Sequence, residues 1–119
     1  MRLSETINPP EYEGKEKHVP QIHAPEKVKP GEWFEVTVIV GEEVPHPNTP
    51  EHHISWITVF YKEDGPRPVY QVAHFIPTPV YGDSRFTFRM KAEKPGQILA
   101  LEHCNIHGLW DNSKRLEVE

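Results

Sequence analysis

Proline recurs thirteen times between Pro9 and Pro95, and this spread limits what the 119-residue chain can become. Each proline removes a backbone donor and fixes φ, so a long helix would be interrupted wherever it began. Seven glycines add further turning points. Short strands joined by turns are the architecture that remains open.

The strand signals fall where the prolines thin out. Residues 33–40, W-F-E-V-T-V-I-V, are rich in β-branched side chains, with Phe34, Val36, Val38 and Val40 on one face. Strands are predicted next at 54–62 and 69–76, across the turn E-D-G-P-R-P. Residues 85–91 alternate, with Phe86, Phe88 and Met90 inward and Arg85, Thr87, Arg89 and Lys91 outward. Lys94-Pro95-Gly96 turns the chain into a strand at 97–103, and a last strand is expected around 116–118. Residues 1–20 are polar and proline-bearing and read as an irregular arm. The pattern predicts one domain over 1–119, with 21–119 forming an immunoglobulin-like antiparallel β-sandwich of about seven strands.

Bulk properties exclude several functions. The formal net charge is −5 and no basic run is present, so the chain is expected to bind nucleic acid poorly, because phosphate neutralisation needs clustered Lys and Arg. No apolar run approaches the ~20 residues of a membrane span, and the first residues lack the apolar stretch of a secretory signal. Cys104 is the only cysteine, which excludes an intrachain disulfide and a cysteine-only metal cage. The expectation is a cytoplasmic protein with one free thiol.

Histidine placement carries the chemistry. Eight histidines is a high count for this length, and most lie in loops or at strand ends. Residues 42–53, E-E-V-P-H-P-N-T-P-E-H-H, must be a loop and hold three of them. A second loop, C-N-I-H-G-L-W-D-N, sets Cys104 and His107 three residues apart, a spacing that lets a thiolate and an imidazole share one ion. Sandwich folds gather their loops at two ends, so separate loops can converge. A structural zinc site of four ligands would leave histidines unused. A blue-copper site needs an axial ligand that is usually methionine, yet Gly108 to Asn112 fill that stretch. Several imidazoles plus one thiolate suit a five-coordinate iron with an open sixth position, although spacing alone leaves a cupredoxin-like electron carrier open.

Three segments resemble the superoxide reductase family, single-iron neelaredoxin type: E-K-H-V-P at 16–20, P-H-P-N-T-P-E-H-H at 45–53, and C-N-I-H-G-L-W at 104–110. The resemblance extends over nearly the whole chain. It implies a mononuclear iron held by His18, His46, His52 and His107, with the Cys104 thiolate as axial ligand. It implies Glu16 as sixth ligand in the ferric state and Lys17 as the cation near the open site when superoxide binds. His23, His53, His74 and His103 match no ligand position. The family's fold is the sandwich described above, and its reaction is one-electron reduction of superoxide to hydrogen peroxide. The desulforedoxin-like domain of related two-domain proteins has no counterpart here, which implies a separate rubredoxin-like donor. The family also implies a homotetramer. Superoxide dismutase is the rival chemistry, and the thiolate and Glu16 favour reduction over it.

Overall fold

Alternation of apolar and polar residues sets the strands in place in the computed structural model, which describes Met1–Glu119. The strands are β1 (Gln21–His23), β2 (Lys27–Val28), β3 (Phe34–Ile39), β4 (Ile54–Glu63), β5 (Val69–Phe75), β6 (Arg85–Met90), β7 (Gly96–Cys104) and β8 (Gly108–Val118). They form a three-stranded sheet of order β1-β3-β6 and a five-stranded sheet of order β2-β8-β7-β4-β5. The inward rows of the two sheets meet. Val36 and Val38 from β3, Ile57 and Val59 from β4, Ile98 from β7 and Leu116 from β8 are fully shielded from solvent. Each such side chain stabilises the fold by about 1.5–3 kcal/mol, which is why the pattern dictates the pairing. No helix is long and apolar enough to cross a membrane.

The predicted sandwich and its five central strands are present with boundaries shifted by a residue or so. Phe34, Val36, Val38 and Met90 are buried, and Arg85, Thr87, Arg89 and Lys91 are exposed, as the alternation requires. Three differences have physical causes. The last strand is not confined to 116–118 but begins at Gly108, so the expected loop 104–112 shrinks to a turn at 105–107. Continuous pairing with β7, from Cys104↔Gly108 to Gly96↔Leu116, overrides the polar run D-N-S-K-R. β1 and β2 are too short to show a period, bringing the count to eight strands. The β2–β8 pair is parallel, so the larger sheet is mixed rather than wholly antiparallel.

The arm is irregular, with 3-10 turns at Leu3–Glu5 and Pro10–Tyr12. It is tied down nonetheless. Asn8 bridges Trp110 in parallel, donating its N–H to the Leu109 carbonyl and accepting from the Asp111 N–H. Asn112 Nδ2 donates to the Pro20 carbonyl at 3.0 Å. The residues between, including Glu16 and His18, are thereby laid across the end of β8.

Candidate metal centre

One end of the sandwich collects three stretches of chain: the arm before β1, the loop between β3 and β4, and the β7–β8 turn. Cys104 closes β7 opposite Ile54 of β4 and Gly108 of β8, with its thiol fully buried at the end of the core. A register irregularity between Ile54 and Trp56 lets β4 keep Ile54 against Cys104. His107 follows in the turn, and its N–H donates to Cys104 Sγ at 3.4 Å.

His46 depends on Gly41. That glycine has φ +84°, and a Cβ there would stand 2.5 Å from the His46 nitrogen, so only glycine admits this loop. His46 then donates from Nδ1 to the Pro47 carbonyl at 2.8 Å, which leaves Nε2 as the bare nitrogen facing inward. His52 is set by a tight turn in which its N–H reaches Thr49 Oγ1 at 3.0 Å and Thr49 N donates to the His52 carbonyl.

The four rings form a closed square. His18–His46, His46–His52, His52–His107 and His107–His18 are neighbours at centroid separations of 5.1, 4.9, 5.3 and 4.9 Å. Glu16 Oε1 lies 2.9 Å from Nε2 of His18, His46 and His52 and 3.3 Å from His107 Nδ1. On the buried side, Cys104 Sγ is 3.6 Å from His46 Nε2 and 3.8 Å from His107 Nδ1. Glu16 Oε1, His18 Nε2 and His52 Nε2 are buried without any hydrogen-bond partner. These atoms are aimed at a common point between them, not at one another. Donors about 2.1 Å from one ion and at right angles stand about 3 Å apart, so the set fits a six-coordinate cation. Glu16, His18, His52, Cys104 and His107 offer ligand atoms that all lie within 4.8 Å of one another, and His46 completes the square.

The electrostatics suit a cation. Burial pushes His18 and His46 below the usual imidazole range, against the pull of Glu16 and, for His46, of the Pro47 carbonyl, which favours the neutral form that coordinates. Burial also pushes Glu16 up, while positive charge on the surrounding imidazoles, where they are protonated, pulls the carboxyl below its ordinary value. Burial raises the Cys104 thiol despite backbone N–H donors from His107 and Ile106. A bound cation would take that proton off and hold the thiolate.

Lys17 is not with the other expected residues. It faces a separate hollow lined by Glu13, Val19, Gln21, Gly41, Glu42 and Glu43. The four histidines outside the ligand set have ordinary partners. His23 pairs with Glu42, His53 Nδ1 meets the Thr49 carbonyl, His74 meets the Thr58 hydroxyl, and His103 meets the Ser55 hydroxyl.

Sequence reasoning missed several supporting residues. Asn105 clamps the two ligand loops together, donating from Nδ2 to the Glu51 carbonyl and accepting from the His53 N–H at 2.8 Å. Trp110 lies flat on the His18 ring, 4.8 Å between centroids and 10° between planes. Glu102 is fully buried on the inward face of β7, and burial, with Glu13 and Glu16 nearby, pushes its carboxyl up to about 9. The inward row Ile98, Ala100, Glu102, Cys104 would have exposed this conflict, because an acid there breaks the apolar period.

The fold and these donors define a class: an all-β sandwich with a four-histidine, one-cysteine site for a single metal ion. The chain belongs to the desulfoferrodoxin family, whose model matches residues 11–113. The superoxide reductase of Thermococcus kodakarensis is 46% identical over 118 residues, spanning 97% of this chain and 99% of that protein. Neelaredoxin of Megalodesulfovibrio gigas is 40% identical over 116 residues, 87% of this chain and 89% of that protein. The solved structure of superoxide reductase (neelaredoxin) from Ignicoccus hospitalis superposes with a TM-score of 0.93 at 38% identity, covering all of both chains.

Gly41→Ala tests the loop geometry. The added Cβ must displace the His46 backbone, so metal affinity should fall by about 10–100-fold, the range for changes just outside a ligand set. Competition titration of the metal-free protein against a chelator measures it.

Proposed function

We propose that this chain is a superoxide reductase that converts superoxide to hydrogen peroxide at one mononuclear iron. The observation that carries this reading is the square of four imidazoles with a buried thiol beneath and a displaceable carboxylate above. Iron, when bound, supplies the one-electron change of oxidation state. Zinc would need only four of these donors, and a copper carrier only three close ones. Bound iron would receive electron density from the Cys104 thiolate, as haem iron does from thiolate ligands. The single domain 1–119 supplies every donor.

Glu16 and Lys17 share the remaining work. Adjacent residues of an extended segment point to opposite sides, so both cannot face the ion together. Glu16 is at the centre and Lys17 in the acidic hollow, which is one of two arrangements the arm can take. A carboxylate would bind ferric iron better than ferrous iron, so a change of oxidation state would supply the differential affinity that a two-state arm requires. With Glu16 out, Lys17 adds a positive charge for an anionic substrate.

Electrons come from a separate one-electron carrier of rubredoxin type, because the only cysteine of these residues is used by the centre. The protein works in the cytoplasm, where a lone thiolate ligand is kept reduced. It assembles as a homotetramer. β5 is an edge strand whose Val69, Tyr70, Gln71 and Val72 are exposed, and V-Y-Q-V-A-H-F carries no lysine, acid or proline to protect the edge. The outer face beside it bears half-exposed Trp56, Phe60, Leu99 and Leu101.

Metal analysis should find one iron per chain, with a thiolate-to-iron band in the oxidised visible spectrum. Cys104→Ser should abolish the band and reduce superoxide consumption by more than the roughly 10–100-fold of outer-shell changes. Copper with an intense blue band, or zinc without colour, overturns the reading.

Lys17→Ala should slow the second-order reaction with superoxide by about threefold to tenfold at low salt and flatten its dependence on ionic strength. Glu16→Ala should alter the ferric spectrum and leave that first encounter nearly unchanged. Pulse radiolysis of both variants measures the difference. Sedimentation equilibrium should give the mass of four chains, and a monomer at micromolar concentration would remove the assembly from the proposal.

A further inference from the structure

We infer that Trp110 is the positioning residue for His18: its indole face sets the rotation of that ring and so seats the arm that carries Glu16. The inference rests on the metal centre proposed above and concerns how the centre is held together.

His18 is the ligand with the least support from the scaffold. It lies outside any strand, on the arm, whereas Cys104 closes a strand and His107 sits in a hairpin turn. His46 has its outer nitrogen fixed by the Pro47 carbonyl, but no hydrogen bond reaches the ring of His18. A histidine without that second partner is free to rotate about its Cβ–Cγ bond, and metal ligands are ordinarily held against such rotation. Here the holding surface is flat and apolar. Trp110 is buried, sits within the eleven-residue β8, and lies parallel to the imidazole at 10°. Rotating His18 would lift it off the indole and drive its edge into it.

The indole N–H supports this reading. Trp110 Nε1 is buried with no hydrogen-bond partner. No hydrogen bond runs from that donor to His18, so the indole meets the imidazole through its face. Trp110 is also the residue where the arm's backbone is pinned, through the Asn8 bridge. The main chain on either side of Trp110, through the Leu109 carbonyl and the Asp111 N–H, therefore holds the arm at Asn8, and the Trp110 side chain meets it at His18.

The test uses the metal-free full chain and cobalt(II), titrated against a competing chelator. Trp110→Met keeps apolar bulk but removes the plane, and should weaken cobalt(II) binding by about 10–100-fold. Trp110→Phe keeps a flat face without the N–H and should stay within about threefold of the parent. In a His18→Ala background the Met substitution should cost nothing further, since coupled residues show an interaction term and independent ones do not. An equal loss in both backgrounds would make Trp110 an ordinary core residue and overturn the inference. So would a Phe variant as damaged as the Met variant, because the N–H would then be the active group. A measurement on the parent protein decides even where the Met variant does not fold. In the zinc(II)-loaded chain the ring protons of His18 should be shifted upfield by the indole ring current relative to those of His52, and unshifted resonances would overturn the inference. None of these readouts uses superoxide, so failure of the enzymatic reading would leave them interpretable, and the reverse.

Discussion

The structure depends on one unfavourable arrangement that a cation makes favourable. Four imidazole nitrogens, a thiol and a carboxylate oxygen are packed around one point, and three of those atoms are buried with no hydrogen bond. Burying unpaired polar groups costs free energy for each of them. Coordination replaces all of those missing interactions at once, so metal binding contributes directly to the stability of this end of the sandwich. The local features at that end serve it: the glycine at 41, the turn at Thr49–His52 and the clamp by Asn105 each bring a donor to the point.

The donors are held with unequal rigidity. Cys104 is continuous with the core, and His46 is entirely enclosed, with 0% of its side chain exposed. His107 is 44% exposed and Glu16 31% exposed. The buried thiol therefore lies on the core side of the centre, and the exposed side is bounded by His107 of the β7–β8 turn and Glu16 of the arm. The arm is nonetheless anchored on both flanks of Glu16, at Asn8 and at Pro20, so movement is confined to the short stretch between.

What the sequence revealed follows from the range of the forces involved. Strand positions were legible because β3, β4, β6 and β7 each bury a continuous inward row, and period-two burial is written locally. The residues that meet at the centre, Glu16, His18, His46, His52, Cys104 and His107, were legible because proline-bound loops rich in histidine have few structural uses and their motifs are distinctive. Lys17, by contrast, was expected beside them and lies apart. β1 and β2 were too short to carry a period. The extent of β8 was hidden because its polar central residues gain their strand conformation from β7, a partner that no local window contains. The supporting shell was hidden for a related reason: the stacking of Trp110 on His18 joins residues that are distant in sequence.

The surrounding charge shapes how an anion could reach such a centre. The chain carries a net charge of −5, and Glu13, Glu42 and Glu43 line the hollow where Lys17 rests. Burial favours the neutral form of His18 and His46, which limits any positive field from those two rings. On the proposed reading, attraction for an anion would come from the bound ion and from Lys17. Over distances beyond about 8–10 Å the acids dominate and salt screens what remains, so attraction is confined to the last approach. On the proposed exchange of Glu16 for Lys17, one negative charge would leave the centre and one positive charge would approach it, so both changes would favour an anion there.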